Sequence, residues 1–115
     1  MKRTFKLKDR RWTIETAPDQ SEKLLLNGEP CLAQVFLRTR SIYVNELLLD
    51  DSEELYYTIA HELTHATLHA YVIDKKTFRD EEFICEFTAV YGAEITALAK
   101  ELTDFLLDEH KKLKK

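Results

Sequence analysis

Residues 50–72 read DDSEELYYTIAHELTHATLHAYV and carry the clearest secondary-structure signal of the chain. Its apolar residues recur at spacings of three and four, which is typical of one buried face of a helix. That stripe consists of Leu55, Ile59, Leu63, Ala66 and Ala70. The N-cap candidates Asp50, Asp51 and Ser52 come first, and Glu53 and Glu54 follow where a capping-box carboxylate stands. The stretch therefore predicts a helix that begins near residue 52 and ends near Val72.

The motif H-E-x-x-H lies within this predicted helix, at residues 61–65. Histidines four residues apart lie one above the other on a helix, so His61 and His65 can converge on one metal ion. The carboxylate of Glu62 then projects beside the metal, where it can act as a base on a metal-activated water. We predict that His61, Glu62, His65 and His69 all lie off the apolar stripe.

The sequence on either side of this helix contains the signals of further secondary structure. Alternation of apolar and polar residues predicts strands at residues 4–8 and 11–16, and further short strands are predicted at residues 23–26, 31–37 and 41–45. Asn27-Gly28 is a hairpin turn between the third and fourth of them. After a polar connection at residues 74–79, Asp80 can cap a second helix that reaches Glu109, with Gly92 as a point of bending or division. Strands first and helices second indicate an α+β fold whose small, mainly antiparallel N-terminal sheet precedes the helices.

Composition limits the class of protein. The chain of 115 residues has the size of a single domain, 1–115, and its 44% hydrophobic and 33% charged residues are typical of a soluble globular protein. A formal net charge of −4 argues against direct binding of nucleic acid. No apolar stretch approaches the roughly 20 residues that span a membrane. Cys31 and Cys85 form no C-x-x-C pair, which predicts two reduced, buried thiols in a cytoplasmic protein.

A zinc site needs a third protein ligand beyond the two histidines. Catalytic zinc usually takes three protein ligands and keeps one position open. The start of the second helix offers Glu81, Glu82 and Glu86. Glu82 and Glu86 are one helical turn apart, so both can face the first helix and the spacing does not separate them.

Two segments of the sequence resemble a known family. HELTHATLHAY and EEFICEFTAVYGAEI are similar to the small HExxH zinc metallopeptidases of phages and mobile elements, the ImmA/IrrE family and the minimal gluzincins. The second motif of that family matches Glu82, Cys85, Glu86, Phe87 and Ala89. The resemblance implies a zincin-like fold and places the family's glutamate ligand on Glu82, with Glu86 as the alternative. We interpret His69 as a residue beside the ligands or as an exposed one.

The same resemblance implies a function. Zn²⁺ held by His61, His65 and Glu82 would support peptide-bond hydrolysis, with Glu62 taking a proton from water and passing it to the leaving amine. The substrate would lie extended beside an edge strand, for which residues 31–37 are the first choice and 41–45 the second. The implied substrate is a specific protein partner such as a repressor. The alternative is a latent protein or a non-catalytic metal-binding interaction module.

Overall fold

The computed structural model of this protein describes residues 1–71 and 81–113, with the backbone alone for residues 81–86. Its strands are β1 (Lys2–Leu7), β2 (Arg10–Ala17), β3 (Leu25–Leu26), β4 (Glu29–Pro30), β5 (Ala33–Phe36) and β6 (Ser41–Asn45). Its helices are α1 (Ser52–Tyr71) and α2 (Glu81–Leu113), and 3-10 turns occupy Glu22–Leu24 and Glu46–Asp50. Strands precede helices, which confirms the α+β fold class.

Four strands form the main sheet, in the order β1-β2-β6-β5. β1 pairs with β2 and β5 pairs with β6 in antiparallel fashion, so the sheet is mainly antiparallel as predicted. The central pair is parallel, with Ile14 of β2 opposite Ile42 of β6, and the sequence did not predict this arrangement. Because β6 has a neighbour on each side, the second choice for a substrate-binding edge, residues 41–45, is wrong. β5 is an edge strand of this sheet.

The Asn27-Gly28 turn forms, but it joins β3 to β4 and not, as expected, to a strand at residues 31–37. That predicted strand is β5, which pairs with β6. Asn27 and Gly28 both have positive φ, 54° and 82°, the conformation of a two-residue hairpin loop that glycine adopts without steric cost. The predicted strand at residues 23–26 begins instead as a 3-10 turn, because the Ser21 hydroxyl caps it by accepting from the Lys23 N–H at 3.2 Å. β3 therefore has only two residues, and its two-residue partner β4 was not predicted.

α1 begins where its capping chemistry predicts. The Glu54 N–H donates to Asp51 Oδ1 at 3.2 Å, so Asp51 is the residue among the three candidates that caps the helix. Four members of the predicted stripe are completely buried: Leu55, Ile59, Leu63 and Ala66. Ala70 is only half-buried. The described part of α1 ends at Tyr71, so the expected end at Val72 and the connection at residues 74–79 lie outside the described residues.

α2 packs against α1 and completes the core. It continues without a break through Gly92 and reaches Leu113, four residues beyond the predicted end. Ala99, Leu102 and Leu106 are fully buried, in one cluster with Trp12, Ile14, Ile42 and Val44 of the sheet and the buried face of α1. This packing holds α1 against the sheet and against α2. Within the described residues, neither helix has the length and apolarity to cross a membrane.

Candidate metal centre

The two histidines of the motif lie together on the exposed side of α1. The ring centroids of His61 and His65 are 4.9 Å apart, and both side chains are accessible to solvent. Zinc–nitrogen bonds of about 2.0–2.1 Å in a tetrahedron place two imidazole centroids roughly 5 Å apart. The centroid spacing of the two rings is therefore compatible with one zinc ion between them.

Glu62, unlike the two histidines, is buried. The prediction that it lies off the buried stripe is wrong, because it stands three residues after Ile59 and four before Ala66, on the margin of the packed face. Its residue is 8% exposed. Burial raises the pKa of the Glu62 carboxyl above its usual range, while the nearby charges of His61 and His65 act in the opposite direction. The structure thus holds a partly desolvated carboxylate directly beside two imidazoles.

β5 packs against α1, and Cys31 before it lies close enough to this carboxylate for the two groups to interact electrostatically. Among the strands, β5 makes the most contacts with α1. Cys31, two residues before β5, is half-buried, and its thiol donates to the Leu24 carbonyl oxygen at 3.2 Å. Burial raises the pKa of the Cys31 thiol, and the charge of Glu62 raises it further. Cys31 is thus a free thiol, as expected, but one at the edge of the site and not within the core.

The third ligand is not decided by the described side chains. Glu81, Glu82 and Glu86 lie in the first two turns of α2, where the structure describes the backbone alone, so each assignment stays a prediction. The side chain of Cys85 also lies outside the described residues, so its predicted burial stays a prediction. Over the side chains that are described, no cluster of three or more histidine, cysteine or carboxylate groups is arranged to hold a metal ion.

A tyrosine that the sequence interpretation did not select extends the row of histidines. Tyr57 is 64% exposed, and its ring centroid is 6.4 Å from that of His61. Tyr57, His61, His65 and His69 are each four residues apart, a spacing that identifies one face of a helix. This spacing could have identified Tyr57 from the sequence. His69 is exposed one turn beyond His65.

The burial of Glu62 predicts a cost in stability that its substitution relieves. With metal removed by a chelator, we expect Glu62→Gln to be more stable than the unmodified protein at pH 7, by on the order of 1 kcal/mol, because no buried charge remains. A raised folded-state pKa favours folding at low pH, and that contribution is lost as the pH rises through this pKa. The advantage of Glu62→Gln should therefore grow as the pH rises from the ordinary titration range of glutamate to the raised pKa of Glu62, and stay constant above it.

Urea unfolding at a series of pH values measures this difference. Glu54→Gln is the matched control, since Glu54 is an exposed glutamate of the same helix; its effect should stay within about 0.5 kcal/mol. Equal stability of Glu62→Gln and the unmodified protein at every pH would show that the Glu62 carboxylate carries no desolvation cost.

The site therefore combines three features within one helix and its neighbouring strand. Two exposed imidazoles have a spacing suited to one metal ion, a buried carboxylate lies beside them, and an edge strand lies alongside. Such an arrangement can bind a divalent ion and transfer a proton next to it. Comparisons of the chain with protein-family models, with curated proteins and with solved structures find no match.

Proposed function

We propose that this protein is a zinc-dependent metallopeptidase. The observation that carries the proposal is the pairing on α1 of two exposed histidines, with ring centroids 4.9 Å apart, and a buried glutamate between them in sequence. The resemblance of residues 61–71 and 81–95 to the minimal gluzincins and the ImmA/IrrE family supports the same reaction. We also propose that the fold is zincin-like.

The residues of the site have separate roles in the proposed reaction. His61 and His65 hold the ion together with a glutamate from the start of α2, Glu82 in the first instance and Glu86 as the alternative. Zinc supplies a Lewis acid that polarises the scissile carbonyl and makes water more acidic. Glu62 accepts the proton of the attacking water and delivers it to the leaving amine. Its partial burial suits this task, because a base works best when its pKa approaches the working pH.

The proposed substrate is a peptide segment that lies along β5. The described strands pair with β5 on one side only, so the backbone N–H and C=O groups of its outer edge are available for strand addition. Main-chain pairing recognises an extended segment of a protein without requiring one particular sequence. We propose a specific protein partner such as a repressor, cleaved in the cytoplasm, where a free thiol such as Cys31 stays reduced.

Metal removal tests the proposed reaction. Protein purified without a histidine tag is expected to contain about one zinc ion per chain by elemental analysis. It should cleave members of a broad peptide library, lose that activity in a chelator, and recover it when zinc is added back. Cleavage that is insensitive to the chelator would contradict the zinc mechanism.

Histidine variants separate catalysis from metal binding alone. His65→Ala should lose both zinc and cleavage. His110→Ala is the matched control, because His110 lies near the end of α2 beside Asp50, 3.2 Å away, and should keep both. Stoichiometric zinc without cleavage of any library peptide would favour the alternative, a latent or non-catalytic metal-binding interaction module. Absence of zinc from the unmodified protein would contradict both the peptidase proposal and its metal-binding alternative.

A further inference from the structure

A cavity of about 590 Å³ opens at the C-terminal end of α1. Three parts of the chain meet there: the turn between β1 and β2, the segment after β5, and the last turns of α1. The described residues that give it its chemistry are Lys8, Asp9, Arg10, Arg40 and His69. The buried ring of Trp12 also lines it and gives it a rigid aromatic wall.

The described lining of this cavity is cationic in a protein that is negative as a whole. Among the described residues that line it, Lys8, Arg10 and Arg40 are cationic and Asp9 is acidic, a formal surplus of +2 with His69 neutral, whereas the whole chain carries −4. Within the part of the chain that the structure describes, none of these three cations is ion-paired with a carboxylate. Such a concave cationic surface attracts anionic groups and can donate charge-assisted hydrogen bonds to them.

The position of the cavity connects it with the proposed cleavage site. His69 belongs to its wall and lies four residues after His65, which is about 6 Å along a helix axis. Leu37 also lines it and directly follows β5. An extended peptide advances about 3.4 Å per residue. A segment that pairs with β5 and continues past Leu37 would therefore reach the cavity about two residues from the scissile bond, which the proposed function places at His61 and His65.

We propose that this cavity binds a carboxylate of the peptide substrate about two residues from the scissile bond. The proposal rests on the proposed peptidase function and names a substrate class for it, peptides with an acidic group beside the cleavage site. The carboxylate can belong to an aspartate or glutamate side chain, or to a free C-terminus. Both present the same two oxygens to Lys8, Arg10 and Arg40.

Binding of defined peptides tests this proposal without requiring cleavage. The probes are fluorescein-labelled, alanine-based nonapeptides with a C-terminal amide and one Glu or one Gln at each position in turn. A second form of each Gln peptide has a free C-terminus. Fluorescence anisotropy with zinc-loaded Glu62→Gln protein should show, at the best position, about tenfold tighter binding of Glu than of Gln. Preference confined to the free C-terminus identifies the terminal carboxylate as the ligand.

A pair of charge-matched double variants assigns the preference to the cavity. Lys8→Gln/Arg10→Gln removes two cations from the wall and should bring the Glu-to-Gln ratio close to one. Lys6→Gln/Arg11→Gln removes two cations that face each other across the same hairpin but do not line the cavity, and should keep the preference. Arg40 is left intact, because its Nε donates to the Arg11 carbonyl oxygen at 3.2 Å.

The outcomes separate this inference from the proposed function. The inference is overturned if the acidic, neutral and free-terminus peptides all bind equally well. It is also overturned if the Lys8→Gln/Arg10→Gln variant still prefers Glu peptides to Gln peptides. Cleavage of library peptides without any acidic preference overturns the inference and leaves the peptidase proposal intact. If no library peptide is cleaved, the peptidase proposal is contradicted. The ratio of Glu-peptide to Gln-peptide affinity, measured by anisotropy, then still decides whether the cavity binds carboxylates.

Discussion

Glu62→Gln is expected to abolish peptide hydrolysis while zinc stays bound. The amide has the shape of the carboxylate but cannot accept the proton of water, and Glu62 is not one of the proposed metal ligands. Loss of a general base typically lowers the rate by about 10²–10⁴-fold. Elemental analysis for zinc and the rate of cleavage at saturating peptide measure the two parts of this prediction on one preparation.

Glu54→Gln is the control for this experiment as well. It makes the same chemical change on the exposed surface of α1, eight residues earlier, and should leave zinc content and cleavage rate unchanged. If Glu62→Gln cleaves peptides within twofold of the unmodified rate, Glu62 is not the base. If it loses zinc, the role of Glu62 lies in building the metal site.

Leu63→Ala is expected to destabilise the protein by about 2–5 kcal/mol. Leu63 is completely buried in the core cluster, and truncation to alanine removes apolar contacts and leaves a cavity. Single domains have free energies of unfolding near 0.05–0.15 kcal/mol per residue, or about 6–17 kcal/mol for a chain of this length. The substitution therefore removes a large share of the total stability, which urea denaturation measures directly.

Leu47→Ala is the matched control for Leu63→Ala. Leu47 is 59% exposed in the 3-10 turn before α1, so the same truncation there should change the free energy of unfolding by less than about 0.5 kcal/mol. A loss below 1 kcal/mol at Leu63 would mean that the apolar face of α1 does not pack in the core. That result would also remove the basis for the burial of the adjacent Glu62.

Local signals in the sequence were sufficient for the two helices and for the Asn27-Gly28 turn. Capping by Asp51, the period of Leu55, Ile59 and Leu63, and the Asn27-Gly28 turn all depend on residues close together in the chain. The limits of the short strands were less predictable, because Ser21 offers its own hydroxyl to the backbone and starts a 3-10 turn where a strand was expected. Propensity alone does not decide that competition.

Non-local pairing was beyond the sequence signals. The parallel pairing of β2 with β6 joins residues 13–17 to residues 41–45. The chain between them contains no α-helix, the usual sequence signal of a parallel crossover. That pairing makes β6 an interior strand and leaves β5 at the edge. The choice between two candidate strands for substrate binding was therefore a topological question, which side-chain patterns do not answer.

The candidate site shows the same division. The proximity of the two histidines and the choice of Glu62 as candidate base could be predicted from five consecutive residues, because a helix brings positions i and i+4 together wherever it forms. The burial of Glu62 depends on the sheet, on α2 and on how far the packed face of α1 extends around the helix. Lys8, Arg10, Arg40 and His69 carry no joint signal, since their shared cavity exists only after three separate segments have packed.

Sequence patterns alone predicted the α+β order, the helix that carries the motif and the proximity of His61 to His65. Each follows from periodicities and spacings within one element, where covalent connection already sets the distances. Tertiary structure alone decided which strand is an edge, that Glu62 is desolvated, and that a cationic cavity stands beside the proposed cleavage site. Those properties arise from contacts between residues far apart in the chain, and only packing of the whole core brings such residues together.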